Sequence, residues 1–364
     1  MNFRISLILF LLSCILPVAA QKPEPVKIGL LIQDQASLAA RQGAELAVRK
    51  ANVRGGVNGR PIQLVVRSME GPWGMGSKQA VNLIFEENVW ALLGSHEGRN
   101  AHLVEQAATK STVVFISAWS SDPTLSQAFV PWFFTCVPND RQQADVMIEE
   151  IYNKRKIIRV AVISDQNYDS GQALKSFLKQ ANLAGKKEPV QFLYENYLGR
   201  LDELADQIIK AKISCIIIFC QPSASLKIIR LIRQKEMNLP VFGSLSILNE
   251  NKLTGQELLE FENIMLFPSG TWSGSKSTVF RQEYEKAFGK TPGMVAAYAF
   301  DGINLLIEAI RNSGGPEREK IQQALSNIHY EGVTGQIQFD DKGNRKGTYR
   351  LMNIKSMIPI EAKQ

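Results

Sequence analysis

Apolar runs short enough to be strands recur along this chain, and between them lie longer stretches in which apolar positions return every three or four residues. The first rhythm marks buried strands and the second amphipathic helices. From Val26 onward the strand-like runs fall over 26–32, 62–66, 90–94 and 113–117, separated by helical stretches over 38–51, 77–87 and 99–109. A run over 133–137 opens a second series, with strands over 159–164, 190–194, 215–220 and 241–243 and helices over 141–153, 170–184, 201–211 and 223–235. Such alternation predicts an α/β fold of parallel sheets covered on both faces, here as two doubly wound, Rossmann-like lobes. The last third adds a strand over 264–267 and helices over 278–288, 294–312 and 318–326. These are too many for the second sheet alone, so part of this segment is expected to return to the first lobe.

The amino terminus follows a different pattern. Arg4 precedes an apolar run over 5–16, and Pro17-Val18-Ala19-Ala20 then leads to the polar Gln21. This reads as a secretory signal peptide over 1–20, cleaved after Ala20. The run is shorter than the roughly 20 residues of a membrane span. A second reading takes Leu11-Leu12-Ser13-Cys14 as a lipobox, with the protein anchored through Cys14. Both readings place the chain outside the cytoplasm, in the periplasm.

Charge and cysteine usage narrow the class further. The 42 basic residues outnumber the 35 acidic ones, but the excess is spread along the chain without a basic block, which argues against nucleic-acid binding. Cys136, Cys215 and Cys220 all lie in apolar runs and read as buried thiols, with a pairing of Cys136 to either of the others left open. A monomer of two domains is expected at this length.

One turn carries more information than any other segment. In Asn52-Val53-Arg54-Gly55-Gly56-Val57-Asn58-Gly59-Arg60 a helix ends, paired glycines supply positive φ angles, and Ile62, Leu64 and Val66 then alternate as a strand does. This stretch resembles the Asn-x-x-Gly-Gly-Val-x-Gly-Arg/Lys signature of type I periplasmic binding proteins of the leucine/isoleucine/valine-binding, branched-chain amino acid ABC transporter family. Gly335 to Asn344 is similar to that family's Gly-x-x-x-Phe-Asp-x-x-Gly ending, and the Pro72-Trp73-Gly74 loop to a subgroup of its substrate-binding proteins. The resemblance implies three crossovers, near 137–139, 267–269 and 335–337. Lobe 1 would then comprise 21–138 with 268–336, and lobe 2 would comprise 139–267 with 337–364.

Ligands of open parallel sheets sit beyond the carboxyl ends of the strands. Two loops in that position stand out, Ser95-His96-Glu97-Gly98-Arg99-Asn100 and Ala118-Trp119-Ser120-Ser121-Asp122-Pro123, and Asp122 before Pro123 reads as a helix N-cap. The resemblance implies that Gly98 stands where the family has a ligand-binding serine. It likewise matches Trp119 to a carbonyl donor, Ser121 to a Ser/Thr ligand, Tyr168 to a tyrosine of the facing lobe and Gln221 to an aromatic position. Ser120 joins this group by its place in the loop. His96 and Glu97 suit either polar ligand contacts or solvated loop positions, Trp119 either a stacking ring or a core or rim aromatic, and Trp73 the rim. Leu245 matches a position where relatives carry an acidic partner for an ammonium group. The loop Gln33 to Ser37 is shorter than the family's and is expected to remove one wall of the pocket. From Gly98 and Leu245 together, a ligand other than an ordinary branched-chain amino acid held through its ammonium group is expected.

Catalytic patterns are missing. Gly94-Ser95-His96-Glu97-Gly98 has its serine one place too early for a nucleophile elbow, Gly289-Lys290-Thr291 lacks the glycine of a P-loop, and the three histidines and the cysteines lack metal-site spacing. The expectation is a non-enzymatic protein without cofactor or metal that closes on a small polar solute, an amino acid or a related compound, and delivers it to an ABC permease. The alternative is a ligand-sensing subunit that docks on a receptor or histidine kinase.

Overall fold

The computed structural model describes residues 23–127, 131–272, 274–347, 349–355 and 358–361. The expected cleavage site at Ala20 and the alternative anchor at Cys14 lie outside the described residues.

The first lobe starts with β1 (Val26–Ile32), α1 (Leu38–Val53), β2 (Ile62–Ser68), α2 (Met75–Val81), β3 (Ala91–Ser95), α3 (Gly98–Lys110), β4 (Phe115–Ser117) and β5 (Phe133–Thr135). Its five strands are all parallel and run in the order β2-β1-β3-β4-β5. The second lobe contains α4 (Asp140–Ile148), β6 (Val160–Ser164), α5 (Tyr168–Leu183), β7 (Val190–Leu193), α6 (Leu201–Lys210), β8 (Cys215–Phe219), α7 (Pro222–Gln234), β9 (Val241–Gly243), α8 (Gly255–Leu259) and β10 (Met265–Ser269). The chain continues as α9 (Gly274–Phe288), α10 (Met294–Ser313), α11 (Arg318–Ser326), β11 (Tyr330–Gly332), β12 (Gly335–Phe339), β13 (Arg345–Lys346), β14 (Arg350–Lys355) and β15 (Ile358–Glu361). Strands β14 and β15 add an antiparallel edge to the second sheet, in the order β15-β14-β10-β9-β8-β6-β7, while β11, β12 and β13 form a small antiparallel sheet.

Each parallel sheet buries both faces, which is why β3, β6 and β8 are apolar without alternation. In the first lobe Leu92 and Phe115 face α2 and α3, and Leu30 and Leu93 face α1 and α10. In the second, Val162 and Ile217 meet Met147 of α4 and Phe177 of α5, while Ile216 and Ile218 pack with Leu204 of α6 and Ile228 of α7. Helix α10 thus belongs with the first sheet, and its approach to α1 is close. A Cβ built on Gly43 would sit 2.1 Å from the backbone oxygen of Ala296.

The signature turn after α1 has a local explanation. Gly56 adopts φ 71°, and a Cβ there would lie 2.0 Å from the Arg60 carbonyl oxygen, so only glycine fits. Asn52 then clamps the incoming strand with both ends of its amide, donating from Nδ2 to Ile62 O at 2.9 Å and accepting from Ile62 N at 2.7 Å. The carboxy-terminal motif works similarly. Asp340 accepts from Lys342 N and Asn344 N, and a Cβ built on Gly343 would lie 2.0 Å from Phe133 O on β5.

Where the chain passes between lobes, Arg345 is 1 % exposed and uses its guanidinium on backbone and hydroxyl oxygens. It donates to Cys136 O at 2.8 Å, Thr334 O at 2.8 Å, Gln336 O at 2.9 Å and Thr334 Oγ1 at 3.0 Å. Asp301 of α10 holds the same segment by accepting from Val333 N and Thr334 N, both at 2.8 Å.

Several expectations are corrected. Asp122 does not cap a helix. Residues 123–126 form turns, and the carboxylate closes an Asx turn on Thr124 N at 2.8 Å, because its other oxygen is drawn away by tertiary partners. The helix expected over 77–87 begins at Met75, ends at Val81 and relaxes into a π-helical turn over Asn82–Glu86. The strand expected over 113–117 is regular only from Phe115, and that over 133–137 only to Thr135. Cys136, Cys215 and Cys220 are free, buried thiols.

The contact at Gly43 makes Gly43→Ala destabilising by about 1–3 kcal/mol, since backbone cannot retreat as a side chain can. Gly171 sits in α5 with nothing within 4 Å of a built Cβ, so Gly171→Ala is expected to stabilise by about 0.5–1 kcal/mol. Urea denaturation of the two variants checks the opposite signs.

Candidate functional site

The carboxyl ends of the two parallel sheets face one another across a cleft of about 200 Å³. Each lobe sends loops into it at the ends of its strands. From the first come Gln33, Asp34 and Ser37 after β1, Ser95, His96 and Glu97 at the end of β3, and Trp119 after β4. From the second come Asn167 and Asp169 after β6, Gln221 after β8, and Ser246, Asn249, Asn251 and Lys252 after β9. Trp119 is 9 % exposed and packs against the core on one side, so it is both a core aromatic and a cleft wall.

Two cleft side chains are strongly buried yet unsatisfied. Ser95 and His96 are 5 % and 2 % exposed, and Ser95 Oγ and His96 Nε2 have no hydrogen-bond partner. Burial pushes the His96 imidazole down to about 4, so the ring is neutral, stacked on Phe115. Its Nδ1 lies 3.2 Å from the Glu97 carbonyl oxygen, which can only accept. Nδ1 therefore carries the hydrogen and Nε2 is left as an acceptor.

At the start of α3 the Glu97 carboxylate accepts from Asn100 N at 3.0 Å as an N-cap. The next amide, Gly98 N, donates across the cleft to Asp169 Oδ1 at 3.0 Å. A Cβ on Gly98 would stand 3.0 Å from both Asp122 Cβ and Asp169 Oδ1 and 3.1 Å from Ser120 Oγ, so the serine of the family pattern would need these neighbours to give way. Burial raises the Asp169 carboxyl to about 7, with Glu97 and Asp122 adding to the rise and Gly98 N–H and Arg99 opposing it.

Beside the cleft, Asp122 gathers the loop. It accepts from Tyr168 Oη at 2.8 Å across the lobes and faces His102 Nε2 at 3.1 Å. Burial alone would raise this carboxyl, but the hydrogen bonds from His102, Thr124 and Tyr168 outweigh it and hold it below the ordinary range. His102 is raised to about 9, chiefly by its bonds to Asp122 and Glu105.

Of the residues singled out from sequence, His96, Glu97, Trp119 and Gln221 line the cleft, and Gly98 adjoins it with its amide already engaged. The remaining three do not line it. Ser120 Oγ accepts from Asp122 N at 3.4 Å, Ser121 Oγ donates to Asp140 Oδ1 at 2.7 Å, and Tyr168 is turned onto Asp122 with Arg99 5.3 Å above its ring. Trp73 is 83 % exposed, away from the cleft. The loop over 33–37 does form a wall, because Gln33, Asp34 and Ser37 reach inward despite its shortness. Leu245 is a core residue whose amide donates to Gln143 Oε1, so its lack of charge leaves the cleft unaffected. Acidic groups enter instead through Asp34, Glu97 and Asp169, and the sequence signal for them was their position just past strand ends.

With this geometry on the page, comparison with known proteins decides the family. A model of periplasmic binding proteins matches residues 25–357. The chain belongs to the periplasmic binding protein family. Among members of known sequence, it is 22% identical over 380 residues to the Leu/Ile/Val-binding protein homolog 7 of Brucella melitensis, covering 96% of this chain and 93% of that protein. The fold is shared with an ABC transporter substrate-binding protein of Desulfitobacterium hafniense solved with Leu, at TM-score 0.78 and 21% identity over 93% of this chain and 100% of that one. It is also shared with a solute-binding protein of R. palustris solved with benzoate, at TM-score 0.77 and 16% identity over 93% of this chain and 95% of that one. Family members and structural neighbours are solute-binding proteins rather than enzymes. One fold therefore serves an amino acid and an aromatic acid, and the cleft of each chain sets its ligand.

The His102–Asp122 contact has a defined pH signature. The folded state holds the imidazolium, so its contribution to stability is complete below pH 6.5 and is lost as pH rises through about 9. Titration of His102 by NMR is expected to give a midpoint near 9, which Asp122→Asn brings back toward 6.5.

Proposed function

We propose that this protein is an extracytoplasmic solute-binding protein that closes on a small polar ligand, an amino acid or a related compound, and delivers it to an ABC permease. The observation that carries this reading is a cleft lined by the strand ends of both sheets, with Asp34, Glu97, Trp119, Asn167 and Gln221 among its lining residues. Membership of the family supports the ligand-binding role. Among the described residues no helix is long and apolar enough to cross a membrane.

The proposed division joins residues 21–138 with 268–336 as lobe 1, and 139–267 with 337–364 as lobe 2. Closure then turns on the crossovers gathered around Arg345. The site residues we assign to the ligand are Trp119, Gln221, His96 and Glu97, with Ser95, Asp34 and Asp169 added by the geometry.

A thermal-shift screen of the protein lacking residues 1–20 against small polar solutes tests this. A true ligand raises the melting temperature in proportion to its excess over Kd. Trp119→Ala is expected to weaken that ligand at least 10-fold in calorimetry while the protein remains folded. A screen in which no solute shifts the melting temperature overturns the reading.

A further inference from the structure

We propose that the first lobe carries a second ligand site, remote from the cleft, that takes a small organic carboxylate with an aromatic or branched aliphatic body. It stands on residues that the solute-binding reading does not use.

A cavity of about 390 Å³ opens between the end of α1, the first half of α9, the later turns of α10 and β11. Ser37 and Val295 line the cleft at the starts of α1 and α10, whereas Arg54 and Ile307 line this cavity roughly 20 Å further along those helices, at about 1.5 Å per residue. The two cavities therefore lie at opposite ends of the lobe. The floor of the second is apolar, formed by the buried side chains of Phe280, Phe300 and Ile307, with the two rings 4.8 Å apart between centroids. Above it Lys50 Nζ stands 5.9 Å from the Phe300 centroid. An aromatic floor under a basic rim receives a ligand with an apolar body and an anionic head.

Charge fixes that head. Four cations line the cavity, and three of them are committed: Lys50 pairs with Glu283, Lys276 with Glu331 at 3.5 Å and Arg311 with Glu308 at 2.6 Å. The fourth is Arg54. Its guanidinium has no ion pair or hydrogen bond among the described residues, and one such group calls for one negative charge. A carboxylate matches the planar fork of the guanidinium through two parallel N–H···O bonds, whereas an amide cannot and an amine is repelled. Tyr330 converges on the same place. Burial, with Asp301 and Glu308, raises its phenol against the opposing pull of nearby Arg54, so the hydroxyl stays protonated and serves as a second donor. The volume equals roughly thirteen waters at about 30 Å³ each, room for a ring carrying a short acid chain.

Methyl NMR of the purified protein reads the site directly, with phenylacetate, 4-phenylbutyrate and indole-3-acetate as probes and phenylacetamide and indole-3-acetamide as neutral controls. Val279 and Ile307 report this cavity, and Val295 reports the cleft. At least one acid is expected to shift the Val279 and Ile307 methyls saturably and to bind about 10-fold or more tightly than the neutral controls. Arg54→Ala should weaken that acid about 10-fold and Tyr330→Phe about 3-fold. Val279 is 47 % exposed, so Val279→Trp fills the cavity mouth without entering the core and should abolish the shift at Ile307. Melting curves like that of the unmutated protein confirm that the variants fold. Acids that leave the Val279 and Ile307 methyls unmoved, or that move Val295 alone, overturn the second site. A control amide that binds there as tightly as the acids, or binding of the acid that survives Arg54→Ala unchanged, overturns the ligand class.

Discussion

Helix amino termini govern how the two lobes meet. The first backbone amides of a helix have no partner within it, and α1 and α10 have no side-chain cap of their own, at Ser37 and Gly293. Both are served from the other lobe. Asn251 Oδ1 accepts from Ala39 N at 2.9 Å, and the Glu250 carboxylate accepts from Val295 N and Ala296 N at 2.9 and 2.8 Å. Asp169 does the same for α3 through Gly98 N. Three helices of the first lobe thus aim their positive ends at the cleft, and acceptors of the second lobe answer them.

This arrangement ties the contact between the two sheets to charge. Burial raises both Asp169 and Glu250 to about 7, so the protonated forms are favoured where the lobes touch. Such carboxyls cost the folded contact more as pH rises through 7, and the hydrogen bonds from Gly98, Val295 and Ala296 counter that cost without cancelling it. The crossovers are held more firmly. Arg345 is surrounded by carbonyl oxygens from segments that precede and follow the second lobe, and a guanidinium with five N–H donors suits that ring better than any ammonium.

Gly98 allows Asp122, Asp169 and Ser120 to converge within about a Cβ's reach of it, and the same convergence occupies the amide that a ligand anion would use. Tyr168 and Ser121 support that convergence from outside by binding Asp122 and Asp140. Trp119 stands as an apolar wall of the cleft, packed on the core behind it.

The amino-acid sequence by itself determined the α/β class, the order of strands and helices, and the turn from Asn52 to Ile62. Those follow from periodicity and from backbone angles that only certain residues adopt, which are local properties. His96, Glu97, Trp119 and Gln221 were legible as strand-end loop residues, because strand ends leave a periodic trace. Tertiary structure alone decided which side chains of those loops meet. Asp169 reaches Gly98 over 71 positions of chain, Lys252 reaches Asp34 over 218, and Leu245 turns into the core while Ser246 faces the cleft. A rotation of one residue in a loop, or the approach of a second lobe, leaves no periodic trace in sequence. The partners of Ser121 and Tyr168 could not be read for that reason, since each hydroxyl meets a carboxylate from another segment, Asp140 and Asp122.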